Sequence, residues 1–384
     1  MRNRVFEIAA SIIDRTDQTR AADAVLRSEL KTQRTLPRAL SGEVARAVFS
    51  YYRWLGWLDR KRSLDRQLLQ ADELARRFVE RPDSFSHDEL RSRAIPSWIL
   101  VLMEIPKEWL RVLQREPVLW LRARPGQRAE LARRLGDCHS AEGTTLSDAL
   151  AYIGAKDLFR TPNFHKGEFE LQDIASQAVS QLCDPKPGDR WWDACAGEGG
   201  KTLHLADLMQ NRGLIWATDR AGWRLERFKR RAARAKIFNY RTALWNGSAR
   251  VPTQTRFDGV LVDAPCSGIG TWQRNPQARW TTTVQDVEEL ACLQRGLLTH
   301  TTPAVKPGGK LIYAVCTLTS AETTGVADDF EKRFPEFEPF AVANPFQPAA
   351  PITARHCWWP QQTGGNGMFV AAWRKAIRKS ESLS

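Results

Sequence analysis

Residues capable of chemistry gather where short β-branched or aromatic runs stop. Such runs read as strands over 190–193, 214–219, 241–245, 257–263 and 310–316. At or just past their ends stand Asp193 and Cys195, Asp219, Asn246, Asp263 and Cys266, and Cys316. Open α/β sheets bind ligands outside the carboxyl ends of their strands, so these successive ends define one composite site. The first connection is Asp193-Ala194-Cys195-Ala196-Gly197-Glu198-Gly199-Gly200-Lys201-Thr202, leading into a helix expected over 203–209. Its glycines let a ligand approach the backbone and the helix N-terminus. The Gly-Gly-Lys-Thr ending imitates a phosphate-binding loop, but that motif needs glycine where Cys195 stands, which argues against a nucleoside triphosphatase. Asp219 suits an acid that holds a ribose hydroxyl pair; the alternative is a helix N-cap for the segment that follows. A lone cysteine at a strand end is ordinarily a small buried hydrophobe. Cys266, directly after Asp263-Ala264-Pro265, and Cys316 at the adjacent strand end form a pair that this reading does not cover.

The elements that must position these residues follow from the rest of the chain. Its 384 residues suggest two or three domains, and 42% apolar content with 15 Trp and 16 Phe excludes disorder throughout. The formal net charge of +13 suits a polyanionic partner, nucleic acid first. The longest notable apolar run, 98–103, is far short of a membrane span, and the first residues carry no apolar signal segment. Seven cysteines without a C-x-x-C pair argue against a disulfide framework or a zinc ribbon and for a reducing cytoplasm. His139, His165 and His204 lack metal-ligand spacing, so no metal is expected.

Three regions emerge. Residues 1–86 read as all-helical, with apolar positions at helical spacing in Phe6, Ala9, Ile13 and in Val44, Val48, Tyr51, Leu55, Leu58. The polar turn 81–86 marks a boundary. Residues 87–166, cut by Pro96, Pro106, Pro117 and Pro125, read as a small α/β module. From 167 to 384, short strands alternate with amphipathic stretches, as in a parallel sheet with crossover helices, and the tail 374–384 reads as basic and frayed. Segment 220–236 carries eight Lys/Arg and only Glu226 as an acid, around a stripe of Leu225, Phe228, Ala232 and Ala235. A solvated helix face is the default reading, with contact to an RNA backbone as the alternative.

Taken together, these blocks resemble the RNA (cytosine-5) methyltransferases of the Sun type, in particular the bacterial enzymes of the ribosomal small subunit with a NusB-like N-terminal domain. The family pattern Asp-x-Cys-Ala-Ala-Pro-Gly-Gly-Lys-Thr is similar to Asp193 through Thr202, and Asp-Ala-Pro-Cys-Ser-Gly-x-Gly-x-x-Arg-Arg-x-Pro-Asp is similar to Asp263 through Gln277. Gly-Gly-x-Leu-x-Tyr-Ser-Thr-Cys is similar to Gly308 through Cys316, Gln172-Asp173-Ile174-Ala175-Ser176-Gln177 matches the entry segment, and Gly367-Met368-Phe369-Val370-Ala371 resembles the last strand. The likeness is dense over 167–373 and loose over 21–62. Several positions depart from it: Gly197-Glu198 for Ala-Pro, Asn246 for an Asp facing adenine, Gln273-Arg274 for Arg-Arg, Gln277 for Asp, and Thr323 for Asn after Glu322.

The resemblance implies a Rossmann-like S-adenosylmethionine-dependent methyltransferase domain over 167–384, preceded by a helical NusB-like RNA-binding domain over 1–86 and an RNA-binding linker module over 87–166. It implies RNA, ribosomal RNA first, as partner, and S-adenosylmethionine as cofactor, held by Asp193, Cys195, Ala196, Gly197, Glu198, Gly199, Gly200, Lys201, Asp219, Asn246 and Asp263. Carbon 5 of cytosine becomes nucleophilic only after a thiolate adds to carbon 6. The resemblance assigns that attack to Cys316, release of the adduct to Cys266, and contact with the cytosine edge or the cofactor's methionine end to Asp263. An ordinary thiol is only a few per cent ionised at neutral pH, so the site needs positive potential or a base; Lys201 and Arg274 are the candidates. Trp272 either stacks on a base or packs internally. Three alternatives stand beside this reading. One is a DNA-type enzyme attacking through Cys266, which has no use for Cys316. Another is a non-catalytic RNA-binding assembly factor, suggested by the altered loop and Asn246. The last is a transfer RNA substrate in place of ribosomal RNA.

Overall fold

The structure, a computed structural model, describes residues 2–32 and 37–377. It divides into two units, one of 1–117 with 267–287 and one of 118–266 with 288–384.

The first unit is helical, with its longer helices at Arg2–Asp14, Ala22–Thr32, Arg38–Trp54 and Leu64–Glu80. The stripe Ala9, Ile13, Val44, Val48, Tyr51 and Leu58 is buried as its spacing requires. Trp54 anchors the core, with ring centroids 5.0 Å from Trp57 and 5.6 Å from Phe78. The boundary expected at 86 is corrected. Helices His87–Arg93 and Lys107–Val112 continue the same unit, burying Leu90, Trp109 and Leu110. Pro96 and Pro106 stand at N-cap positions, where proline starts helical turns and does not break a strand.

Segment Ser267–Val287 also belongs to this unit. Trp272 is fully buried and stacks on Trp109, with centroids 6.0 Å apart, so its role is internal packing and not base stacking. Arg279 is equally buried and donates to the carbonyls of Arg53, Ala94, Leu113 and Trp272. Burial lowers its pKa only to about 9, so it remains charged at neutral pH. Gln277 accepts from Ala22 N at 2.5 Å and donates to Asp17 O at 3.1 Å, which gives its departure from the family pattern a structural use.

The second unit opens with a four-stranded antiparallel sheet of β1 (Leu119–Ala123), β2 (Cys138–Ser140), β3 (Ala149–Tyr152) and β4 (Phe169–Leu171), in the order β2-β3-β1-β4. The expected α/β module over 87–166 therefore splits. Its helical part lies in the first unit, and its sheet runs on to 171. The larger sheet comprises β5 (Arg190–Asp193), β6 (Leu214–Asp219), β7 (Tyr240–Leu244), β8 (Phe257–Asp263), β9 (Val305–Val315), β10 (Phe337–Pro339), β11 (Arg355–Trp358) and β12 (Met368–Lys375). Its order is β10-β12-β9-β8-β5-β6-β7, with β11 also on β12. Strands β5 to β9 are parallel, while β12 runs antiparallel to β9. Val260, Leu261 and Val262 of β8 are all buried, as expected of a central strand covered on both faces. The chain winds one way from β5 to β7 and the other way from β8 to β9, so a switch point lies at β5 and β8. Arg374 and Lys375 close β12, which corrects the expectation of a frayed tail from 374; residues 378–384 lie outside the described residues.

Helix Gly222–Arg234 carries the basic segment, and much of its charge is used within the unit. Arg231 and Arg234 both reach the buried Glu170 of β4, at 2.9 and 2.7 Å, and Arg227 reaches Glu198 at 2.6 Å. The first two pairs fasten the helix to the small sheet, and the third ties it to the loop after β5. Arg231 and Arg234 are thus taken up inside the unit, while Arg227 stays half-exposed on a solvated face. Among the described residues, no helix is long and apolar enough to cross a membrane.

Candidate active site

Strand register brings the chemically capable ends together. Asp193 lies opposite Leu261, Asp263 opposite Ala314, and Asp219 opposite Leu244. Beyond the strands, Ala194 N donates to Leu261 O and Ala264 N to Ala314 O, both at 2.9 Å. The loops therefore leave the sheet side by side, around a cleft of about 340 Å³. Cys195, Ala196, Gly197, Glu198, Asp219, Asn246, Asp263, Cys266 and Cys316 line it. Asp193, Gly199, Gly200 and Lys201 stand behind this lining and support it.

Each supporting residue has a local reason. Asp193 is buried and accepts from Thr202 Oγ1 at 2.6 Å, while its Oδ1 has no hydrogen-bond partner among the described residues. Burial raises its carboxyl to about 7 against the Thr202 bond, and Asp263 and Asp219 add to the rise while Lys201 opposes it. Gly199 has φ +80°, and a Cβ there would lie 1.9 Å from the Phe228 ring. Gly200 starts the helix Gly200–Leu208.

Asp219 is nearly buried. Its carboxylate accepts from Gly197 N at 3.0 Å and Ala221 N at 2.8 Å, with Arg224 at 3.4 Å. The N-cap of the following helix is Ala221, so Asp219 is not the cap; it ties the first loop to the second. Two lone pairs on each oxygen leave acceptor capacity toward the cleft. Asn246 is exposed at the cleft and accepts from Ser248 N at 3.1 Å. Glu198, where the family pattern has proline, is held by Arg227, so the altered loop is braced from the next helix.

The two thiols meet at the ends of β8 and β9. Cys266 Sγ and Cys316 Sγ are 3.3 Å apart, and neither is in a disulfide. Lys201 Nζ donates to Asp263 Oδ2 at 2.7 Å. Burial disfavours the ammonium, yet Asp263, Cys316 and Asp193 outweigh it and hold its pKa above the ordinary lysine value. Of the two cations considered from sequence, Lys201 lies in the same unit as the thiols and interacts with Cys316. Cys195 differs. Desolvation, then Asp193, Asp263 and Asp219, push its thiol well above the ordinary value, so it stays protonated.

Sequence reasoning missed the network behind the thiols. Glu322 is fully buried and accepts from Thr317 Oγ1, Thr319 Oγ1 and Gln294 Nε2, each at 3.1 Å. Gln294 Nε2 also donates to Pro265 O at 2.9 Å, and Tyr313 OH reaches Gln294 Oε1 at 2.9 Å. The loop after Cys316 and the residue before Cys266 are thus held by one set of bonds. The available signal was a glutamine on the buried stripe Val287, Ala291, Gln294, Leu298 of helix Val284–Thr301. Arg220, Arg224, Leu293 and Leu297 also line the cleft. The first two were legible only as part of a basic segment, and the leucines carried no signal beyond packing.

Comparison with known proteins gives a consistent result. The model of the family described as 16S rRNA methyltransferase RsmB/F matches residues 180–374. A "Probable ribosomal RNA small subunit methyltransferase B" from Synechocystis is 35% identical over 222 residues, covering 56% of this chain and 49% of the relative. The chain spans about half the length of the curated relatives it matches. Among solved structures, protein PH0851 is similar with a TM-score of 0.76 at 22% identity, over 97% of each chain. NSun6 from Pyrococcus horikoshii, solved with the S-adenosylmethionine analogue SFG, is similar at 0.59 and 19% identity, over 68% of this chain and 92% of that one. These two likenesses speak to the fold.

Proposed function

Since the chain belongs to the RsmB/F family of 16S rRNA methyltransferases, we propose that it methylates carbon 5 of a cytosine in RNA, ribosomal RNA first, from S-adenosylmethionine. The observation that carries this reading is the pair of thiols 3.3 Å apart at neighbouring strand ends, beside the Lys201–Asp263 pair. A second thiol beside the first supports the two-cysteine scheme over a DNA-type enzyme working through Cys266 alone.

The cleft fits the cofactor. Asp219 retains acceptor capacity for ribose hydroxyls, Leu293 and Leu297 give apolar walls for adenine beside Asn246, and Asp263 brings a carboxylate to the lining for the cofactor's cationic end. When bound, S-adenosylmethionine supplies an electrophilic methyl group on a cationic sulfur. The chain's own residues do the rest. Lys201 places a cation in the site, and Cys316 attacks as its thiolate. That thiolate adds to carbon 6, forming a carbon–sulfur bond and making carbon 5 enamine-like, so that carbon 5 takes the methyl group. Asp263 holds the cytosine edge or the cofactor's methionine end. The carbon-5 proton then leaves, the carbon–sulfur bond breaks, and Cys266 serves this release. The target base must leave its stack to reach the cleft, which favours loops or flexible RNA. A cytoplasmic location accords with such a substrate.

Bisulfite sequencing of total RNA from a strain lacking the gene tests the proposal. Loss of 5-methylcytosine from small-subunit ribosomal RNA is expected. Loss from transfer RNA would overturn the substrate class, and an unchanged map would overturn the activity.

A further inference from the structure

The two thiols of the cleft are placed for a second chemistry. Cys266 and Cys316 both line the cleft and are half-buried, so a small solute reaches them. Their sulfurs stand 3.3 Å apart, against about 2.0 Å in a disulfide. Closing that gap takes a rotation on the order of 20° about each Cα–Cβ bond, within what a rotamer well tolerates. The backbone on both sides is fixed. Asp263 of β8 lies opposite Ala314 of β9. Gln294 Nε2 donates to Pro265 O and to Glu322, which also accepts from Thr317 Oγ1. The residues flanking the two cysteines thus share one buried network, and each thiol stays within reach of the other.

We propose that this pair is a site of reversible oxidation, which a peroxide converts to a Cys266–Cys316 disulfide and a dithiol reductant restores. The Cys316 thiolate attacks a peroxide oxygen and breaks the O–O bond. With hydrogen peroxide this forms a sulfenic acid, and the departing hydroxide takes a proton to become water. The Cys266 thiolate then attacks the sulfenic sulfur; the S–S bond forms and the hydroxyl leaves as a second water. In sum, two thiols give up two protons and two electrons, and one peroxide becomes two waters. Cys266 is thereby a resolving partner, which intercepts the sulfenic acid before more peroxide carries it to the irreversible sulfinic acid. Cys195, which also lines the cleft, stays protonated and does not compete, because the thiolate is the nucleophile. The effect on activity rests on the proposed function, since the oxidised pair has no thiolate to offer carbon 6; formation of the disulfide does not.

The full chain is treated with hydrogen peroxide without reductant, the peroxide is destroyed with catalase, and remaining thiols are blocked with N-ethylmaleimide. Non-reducing digests are then read by mass spectrometry. The expected main product is a peptide pair joined through Cys266 and Cys316, about 2 Da lighter than the two reduced peptides together. Dithiothreitol is expected to return both thiols. In Cys266→Ala the same treatment is expected to carry Cys316 to sulfinic or sulfonic acid, which dithiothreitol does not reverse. Methyl transfer by the wild type is expected to fall tenfold or more on oxidation and to recover with dithiothreitol. Sulfinic acid on Cys316 as the main wild-type product would overturn the proposal. So would disulfides that join either residue to another cysteine, two unmodified thiols, or a Cys266→Ala variant that recovers as fully as wild type. A 266–316 disulfide with unchanged methylation upholds the oxidation site and contradicts the assigned nucleophile instead, so the two proposals fail separately.

Discussion

Glu322 offers the sharpest test of how the thiols are held. Its side chain is fully buried, and its carboxylate accepts from Thr317, Thr319 and Gln294, each at 3.1 Å. Hydrogen bonds to a charged group contribute about 1.5–3 kcal/mol each, so three sum to roughly 4–9 kcal/mol. Bonds that share one group are not additive, and a loss of about 3–5 kcal/mol is the expectation for Glu322→Ala. A folded domain has only about 5–15 kcal/mol in total. In a unit of this size the melting point is expected to fall by about 6–20 °C. Glu322→Gln keeps the shape and one acceptor, and the threonine hydroxyls can rotate to accept from its new amide; about 1 kcal/mol is expected. The catalytic consequence is separable. Gln294 donates to both Glu322 and Pro265 O, so losing the carboxylate loosens the turn into Cys266 as well as the loop after Cys316. Single-turnover methyl transfer, measured well below the melting point, is expected to fall about 100-fold in Glu322→Ala, the cost of roughly 1 Å of misplacement, and to be largely restored in Glu322→Gln. An alanine variant that melts with wild type, or that is destabilised yet fully active, would refute the claim that this network positions the thiols.

Three further outcomes follow from the same geometry. Asp219→Ala is expected to weaken S-adenosylmethionine binding by about 1–3 kcal/mol in calorimetry, together with greater protease sensitivity of the loop whose Gly197 N–H it accepts. Asp193 has a folded-state pKa of about 7, raised from 3.8, so the folded state holds the extra proton and stability falls as pH rises from about 4 to about 7. Asp193→Asn mimics the protonated form and is expected to stabilise the cofactor-free protein by up to about 4 kcal/mol at pH 8 and little at pH 4, by urea unfolding at both pH values. Arg279→Met is expected to destabilise the first unit by about 3–5 kcal/mol in urea unfolding, because four buried carbonyls lose their donor together.

The parallel part of the larger sheet, β5 to β9, was legible because most of its strands are apolar or aromatic runs that end in polar residues. Four of the five strands expected from sequence appear within a residue of their expected ends; the fifth, β9, begins earlier, at Val305. The cleft was legible for the same reason: residues at strand ends are neighbours whatever their sequence separation. Domain boundaries were not legible, because they depend on long-range partners. A cut at 166 would sever β4 from β1, whose register pairs Leu121 with Leu171. Nor does local pattern show that Arg279 and Trp272 bury themselves among residues of 1–117. Gln294 and Glu322 escaped notice because a polar residue on a buried stripe declares its partner only once the fold is known.

Denaturing electrophoresis of labelled RNA tests the central claim most directly, using wild type, Cys316→Ala, Cys266→Ala and the double variant with S-adenosylmethionine. Cys266→Ala is expected to accumulate a covalent protein–RNA complex, because attack and methyl transfer proceed while release fails. Cys316→Ala is expected to be inactive and adduct-free, and the double variant adduct-free as well. Methylation by Cys316→Ala, or an adduct in the double variant, would contradict the account.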